Sequence, residues 1–139
     1  MRRIYLIVSG LIITLIISGF LFSSVSRSGE QGDQFYSYMK SGDFEKILEI
    51  IDQEALKNRS KLEWLQILKS RTADWGNLIS YKNTGFHTET INGKNITKLD
   101  YTIVNSNGEI FEHLDFIKRG SNYKILSYSY ISGNKLVNK

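Results

Sequence analysis

The sequence predicts an α+β protein in which an N-terminal transmembrane helix is followed by three helices packed on a curved four-stranded antiparallel sheet. Three observations lead to this prediction. The stretch from Ile4 to Phe22 contains no charged residue. Apolar residues then recur with the 3.6-residue period of helices as far as Gly76, and with the two-residue period of strands beyond it.

The uncharged stretch is long enough to cross a membrane. At about 1.5 Å per residue, a helix from Ile4 to Phe22 is roughly 28 Å long, close to the ~30 Å hydrocarbon core of a bilayer. This length favours a retained anchor, although Ser24-Val25-Ser26 offers small residues where a signal peptide could be cleaved. Arg2 and Arg3 favour a cytoplasmic N-terminus. We therefore expect a single-pass cell-membrane protein with its domain outside the cytoplasm, or a secreted or periplasmic domain after cleavage.

The chain divides into four predicted segments. Residues 1–27 form the membrane segment, 28–32 a short Ser/Gly-containing linker, 33–134 the folded domain and 135–139 a C-terminal tail. The domain is long enough for one hydrophobic core. It contains no cysteine, so packing alone must hold it together.

The three predicted helices are delimited by caps and glycines. The first extends from Asp33 to Ser41-Gly42, and Asp43 can cap the second. Ser60 and Glu63 have the spacing of a capping box, which begins the third helix. Gly76 ends that helix. Apolar stripes at helical spacing mark the second and third helices: Phe44, Ile47, Leu48 and Ile51, then Trp64, Leu68, Arg71 and Trp75.

Four strands follow, joined by short turns. Strand material extends from Leu78 to Tyr81 and from Phe86 to Ile91, and the later strands are centred on residues 97–103, 110–117 and 123–132. In the second strand, Thr97, Leu99, Tyr101 and Ile103 alternate with Lys98, Asp100 and Thr102, which predicts one core-facing side. The predicted turns are Asn92-Gly93, Asn107-Gly108 and a third turn around Gly120. Strands joined by such short connections must pair as an antiparallel meander.

This order of elements resembles the cystatin-like cone shared with nuclear transport factor two and ketosteroid isomerase, and more closely small bacterial cell-envelope domains of unknown function in that superfamily. The resemblance covers Asp33 to Ile131. It implies a sheet that curls around the long helix and leaves a conical cavity. The matching residues are Glu63-Trp64, Arg71, Gly76, Tyr101, Glu112, Gly120, Tyr123 to Ile125 and Tyr130.

Such a cavity could hold a small apolar ligand, become an active site or fill with side chains. Two tryptophans on the third helix indicate a large buried face, for which a core role is the simpler explanation. The residues that we expect to line the cavity are Trp64, Leu68, Trp75, Tyr101, Phe116 and Tyr128.

An enzyme would need an acid or base in that cavity. His113 and Asp115 share one face of their strand, and a histidine beside a carboxylate can act as a general base. Glu112 points to the opposite face. The alternation favours the solvent side for His113 and Asp115. Phe111 and Ile117 lie on that same side, which makes this face a candidate interface.

The sequence gives little support for a metal, nucleotide or nucleic-acid site. Neither metal-ligand spacing nor a nucleotide-binding motif occurs, so no metal or cofactor is predicted. Without Arg2 and Arg3 the basic residues outnumber the acidic ones by only two, which predicts no nucleic-acid surface.

We therefore expect a membrane-anchored, non-enzymatic domain that binds an envelope protein or a small apolar ligand. The alternatives are a cavity enzyme (isomerase, dehydratase or hydrolase), an assembly subunit of a secretion or conjugation machine, and an immunity protein.

Overall fold

The computed structural model describes residues 26–135, and the side chains of residues 26–131. Four helices precede the sheet: α1 over residues 26–41, α2 (Phe44–Ile50), α3 (Gln53–Asn58) and α4 (Lys61–Trp75). Four strands follow: β1 (Leu78–Ile91), β2 (Lys94–Asn105), β3 (Gly108–Arg119) and β4 (Asn122–Lys135). The predicted α+β class is confirmed, with four helices where three were predicted.

The predicted membrane span, residues 4–22, lies outside the described residues. Within residues 26–135 no helix is both long and apolar enough to cross a bilayer. The transmembrane helix therefore stays a prediction.

The first helix starts earlier than predicted. Residues 28–32, which we expected to form a linker ahead of a helix beginning at Asp33, are helical and continuous with the rest of α1, as are residues 26 and 27. Gly32 is buried, and a Cβ atom at this position would overlap the hydroxyl of Tyr101 on β2. This part of α1 therefore packs directly on the sheet. The predicted end is confirmed, since Gly42 has a φ of 72° and follows the helix.

The short helix α3 was not predicted. It has six residues, of which only Ala55 is buried, so no apolar period is long enough to mark it. Asp52 caps it, because a carboxylate oxygen accepts a hydrogen bond from the backbone N–H of Glu54 at 2.9 Å. Asp43 does precede α2, but its side chain makes no capping hydrogen bond and pairs with Lys46 instead.

The capping box of α4 is confirmed. The Ser60 hydroxyl accepts a hydrogen bond from the Glu63 N–H, and Oε2 of Glu63 accepts one from the Ser60 N–H at 2.7 Å. All four residues of its predicted stripe are buried: Trp64, Leu68, Arg71 and Trp75. The helix ends at Gly76, whose φ is 79°.

The sheet is an antiparallel meander with the strand order β1-β2-β3-β4, as predicted. The two strand segments predicted on either side of residue 84 form one strand, β1, with a register shift between Asn83 and Gly85. The Asn92-Gly93 turn has the expected positive φ angles of 50° and 75°.

The second turn is displaced by one residue from the prediction. It consists of Ser106 and Asn107, while Gly108 already belongs to β3. Contacts with the end of α4 explain the shift. The N–H of Asn107 donates to the carbonyl of Trp75 at 3.0 Å, and the Ser106 hydroxyl accepts a hydrogen bond from the Asn77 N–H. Tertiary hydrogen bonds therefore select this turn over the one favoured by local sequence.

The helices cover one face of the sheet, here called the inner face. The predicted alternation of β2 is confirmed, with Thr97, Leu99, Tyr101 and Ile103 buried. On β3 the inner residues Ile110, Glu112, Leu114 and Phe116 are all 0 % exposed. The opposite, outer face carries the charged and half-exposed residues of the same strands.

Candidate functional site

The six residues predicted to line a cavity lie together in the hydrophobic core. Their exposed fractions range from 0 % to 5 %. Phe35 from α1 contacts Tyr128 with ring centroids 5.3 Å apart, and Tyr36 contacts Tyr101 at 4.7 Å. This packing favours a core role, while a ligand-binding role for the six residues stays a prediction.

A buried ion pair lies at the centre of this core. Arg71 of α4 and Glu112 of β3 are 1 % and 0 % exposed, and Nε of Arg71 donates to Oε1 of Glu112 at 2.8 Å. Each residue continues an apolar pattern, the helical stripe of α4 or the inner alternation of β3, so each side chain is directed into the core. Mutual neutralisation lets two charges occupy an interior that would exclude either one alone.

Two tyrosines surround this pair. Burial, together with the neighbouring charge of Glu112, raises the pKa of both Tyr36 and Tyr128 well above the ordinary value. Burial disfavours the charged form of Arg71 and so tends to lower its pKa. The interactions with Glu112 and Tyr128 outweigh this effect, and the pKa of Arg71 is raised. Both phenols are thus neutral near pH 7, and the arginine is charged.

The outer face holds the predicted acid–base candidates. His113 and Asp115 share this face as expected, but the hydrogen bond of His113 goes to Asp100 on β2, with Nδ1 and Oδ1 2.5 Å apart. These side chains are 40 % and 51 % exposed. Burial raises the pKa of Asp115, which lies opposite Lys98. The two predicted residues lie on the side of the sheet away from α4, outside the helix-covered core.

An apolar patch lies further along the outer face. Phe111 and Ile131 are opposite each other in the β3–β4 register and are 45 % and 59 % exposed. Val104 on β2 is 38 % exposed. Ile117, predicted to be exposed on this face, is instead buried together with its partner Ile96. Apolar side chains exposed together in this way are typical of contact surfaces.

A groove runs beside β4, the last strand of the sheet. Its main part has a volume of about 460 Å³, and a neighbouring part of about 250 Å³ shares Arg59 and Tyr128 with it. We call the two together the β4 groove. The residues that define it are Ala55, Asn58, Arg59, Glu63, Trp64, Gln66, Ile67 and Ser70 on the helical side, and 126–130 on β4.

The groove follows the edge of β4 and not one of its faces. Successive strand residues point to opposite faces, so a groove that contacts all five residues from Leu126 to Tyr130 must run along the backbone. The carbonyl of Ile125, just before them, points away from β3 and accepts a hydrogen bond from the Asp52 N–H at 2.8 Å. Ile51 and Ile125 form an isolated parallel bridge at the same point.

Beyond Ile125, no strand among the described residues pairs with this edge. The β3–β4 register has a bulge between Ile125 and Ser127, because Phe116 and Asp115 are their respective partners. The alternation of an antiparallel ladder then directs the backbone groups of Ser129 to β3 and those of Tyr128 and Tyr130 into the groove.

Two charged residues line the groove, Arg59 and Glu63. The guanidinium of Arg59 lies over the ring of Trp64, 5.5 Å from the centroid, and no carboxylate within residues 26–135 forms an ion pair with it. The Glu63 carboxylate accepts the capping-box hydrogen bonds from the Ser60 hydroxyl and N–H, which lower its pKa, and the charge of Arg59 lowers it further. The groove therefore presents one available cation beside an unpaired strand edge.

No protein-family model matches this chain, and no curated protein matches its sequence. Within the described residues no three metal-ligating side chains converge on a metal site. The groove and the buried ion pair must therefore be interpreted from their own chemistry.

Two of these features were not foreseen from the sequence. Arg71 belongs to the apolar stripe of α4, and Glu112 belongs to the core-facing side of β3. Two opposite charges that both occupy core-facing positions indicate a buried ion pair, because a single buried charge would be too costly. The β4 groove depends on which strand lies at the sheet edge and on which helix lies beside it. A meander puts its last strand at an edge, but the sequence does not reveal the helix that forms the other wall.

Proposed function

We propose that this domain binds a protein partner at its surface and carries out no catalysis. The observation that supports this proposal is the contrast between interior and surface. The charges inside the sheet neutralise each other and are covered by α4, whereas the groove with an unpaired strand edge and the apolar patch both reach solvent.

We further propose that Ile4 to Phe22 anchors the protein in a membrane, with the domain outside the cytoplasm. The uncharged length of this stretch and the basic residues Arg2 and Arg3 before it support this arrangement. Continuity of α1 from residue 26 would hold the domain close to the membrane surface, because a helix is a stiffer connection than a Ser/Gly linker.

The location can be tested by cysteine labelling, because the chain has no cysteine of its own. Lys82→Cys introduces a thiol at an exposed position on β1, and a cysteine inserted directly after Met1 introduces one before the anchor while keeping Arg2 and Arg3. A membrane-impermeant maleimide should label the first variant on intact cells and the second only after lysis. Labelling of both variants only after lysis would rule out a domain outside the cytoplasm.

The binding function can be tested by photo-crosslinking in cells that express the full-length chain. A benzophenone amino acid would replace Gln66 in the β4 groove, Phe111 in the outer patch or Glu45 on the exposed side of α2. We expect one defined protein adduct from Gln66 or Phe111, and none from Glu45. Absence of an adduct at both surfaces would count against a protein-binding function.

A further inference from the structure

We propose that the β4 groove binds an extended segment of a partner protein as an additional strand, with an acidic side chain of that segment against Arg59. This inference rests on the proposed function and specifies both the surface and the chemistry of its partner. Strand addition to a free sheet edge is a recurring mode of peptide recognition, in which backbone hydrogen bonds supply affinity and side-chain contacts supply specificity.

The edge has the hydrogen-bonding groups that strand addition needs. Tyr128 and Tyr130 direct their N–H and carbonyl groups into the groove, as deduced from the register. The chain itself pairs with this edge at Ile125, through the Ile51 bridge and the Asp52 hydrogen bond. An incoming segment would thus extend a pairing that the fold has already begun.

Apart from the bulge at Leu126, the edge lacks the usual protection against pairing. Exposed edge strands commonly carry proline or charged residues that discourage association. Between Ile125 and Ile131, β4 contains neither, and its sequence is Ser, Tyr and aliphatic residues only. The helical side of the groove beside it is lined by Gln66, Ile67 and Ser70.

The charge of the groove identifies the occupant as another protein. A second copy pairing through its own β4 would bring no carboxylate side chain, since the sole charged residue in residues 122–131 is Lys124. That cation would add to the charge of Arg59 instead of neutralising it. The parts of the chain outside the described residues, 1–25 and 136–139, contain no Asp or Glu either. The other edge strand, β1, carries one carboxylate, Glu89, but this side chain already pairs with Lys98 at 2.6 Å. We therefore assign the complementary carboxylate to a different protein.

The experiment uses the full-length protein and a phage-displayed library of random dodecapeptides as the probe. Selected peptides should be enriched in β-branched residues and carry Asp or Glu. Hydrogen–deuterium exchange with residue-level fragmentation should show protection of the Tyr128 and Tyr130 amides on binding. The Ser129 amide, already bonded to β3, should change little. N-methylation of alternate residues in a selected peptide should abolish its binding.

Two pairs of variants provide matched controls. Arg59→Glu should weaken binding of the selected peptides by roughly fivefold or more, while Lys57→Glu, an equal charge reversal outside the groove, should leave it unchanged. Ser70→Trp fills the groove and should abolish binding, while Lys69→Trp, on the neighbouring exposed position of α4, should not. Circular dichroism and exchange at β2 would verify that each variant is folded.

Several outcomes would overturn this inference. One is that the library yields no peptide, or that the selected peptides leave exchange at the Tyr128 and Tyr130 amides unchanged. Another is that Arg59→Glu binds the peptides as well as the wild type does. The last is that these amides become protected without peptide as the protein concentration rises, which would indicate self-association. A crosslinked partner found from Phe111 alone would leave the proposed binding function in place and exclude the groove as its site. Absence of crosslinks at both surfaces would instead remove the binding function itself.

Discussion

Glu112 and His113 are neighbours on β3, and each lies within hydrogen-bonding distance of a side chain of opposite charge type. Glu112 points to the inner face, is 0 % exposed and pairs with Arg71 of α4. His113 points to the outer face, is 40 % exposed and pairs with Asp100 on the adjacent strand. The distances are similar, but the two pairs differ in their access to water and in charge, because the guanidinium of Arg71 is always charged and the imidazole of His113 only when it is protonated.

Water determines what each pair contributes. When an exposed pair forms, each side chain gives up favourable contacts with water and gains a contact of similar free energy with its partner. Such a pair therefore adds little to stability. A buried pair cannot be separated without leaving an uncompensated charge in an apolar interior. We therefore expect substitutions on the inner face to be costly and equivalent substitutions on the outer face to be mild.

The largest effect is expected for Arg71→Met. This substitution leaves the Glu112 carboxylate buried without its partner and should reduce the free energy of unfolding by about 3–5 kcal/mol. Urea unfolding followed by the fluorescence of Trp64 and Trp75 measures it. The double variant Arg71→Met/Glu112→Leu removes both charges and should recover most of the loss. A cost below about 1 kcal/mol for Arg71→Met would show that the two faces do not differ as argued.

Gly32→Ala tests how tightly α1 packs on the inner face. A methyl group there would overlap the Tyr101 hydroxyl, and relieving this overlap should cost about 1–3 kcal/mol. Gly29 is the control, because among the described residues no atom outside its own helical turn lies within 4 Å of a Cβ added at that position. Gly29→Ala should stabilise the helix by about 0.5–1 kcal/mol through its higher helix propensity. Equal effects at both positions would mean that residues 26–32 do not pack on the sheet.

Asp52→Asn tests a pair with intermediate exposure. The Asp52 side chain is 5 % exposed and binds two nitrogens of Arg119, which is 44 % exposed, each at 2.8 Å. Hydrogen bonding to Arg119 lowers the pKa of Asp52. Because Arg119 remains half in water, we expect a loss of only about 1 kcal/mol in the free energy of unfolding at pH 7.

The same pair predicts a pH dependence. A carboxyl whose pKa is lower in the folded than in the unfolded state stabilises the fold above the unfolded pKa of about 3.9. This contribution is lost as the pH falls through the lower, folded-state value. The stability difference between the wild type and Asp52→Asn should therefore shrink in urea titrations from pH 6 to pH 2. A constant difference over this range would assign the effect to something other than the charge of Asp52.

The smallest effect is expected for Asp100→Asn on the outer face. Both members of the pair are about half exposed, so the loss should be about 0–1 kcal/mol and should diminish further in high salt. Measurement under the same conditions as Arg71→Met gives a direct comparison of the two faces of β3. A loss above about 2 kcal/mol would indicate that the His113–Asp100 contact has a structural role comparable to the buried pair.

Local patterns were sufficient where local chemistry decides the structure. Ser60 and Glu63 cap α4 as predicted, Gly76 ends it, and Asn92-Gly93 closes the first hairpin, because each depends on residues a few positions apart. The predictions were wrong where distant residues intervene. Tyr101 packs against Gly32 and extends α1 through the predicted linker, and Trp75 fixes the second turn one residue early.

Through its local patterns, the sequence predicts the α+β class, the meander, the core-facing side of β2 and the helical cap of α4, because periodicity, glycines and capping residues act within one element. It also carries an uncharged N-terminal stretch whose membrane role stays a prediction. Tertiary packing is what brings Arg71 into contact with Glu112 and places Arg59 beside the free edge of β4. Contacts between elements far apart in the chain depend on how the layers stack, and a local pattern shows which side chains are buried but not which ones meet.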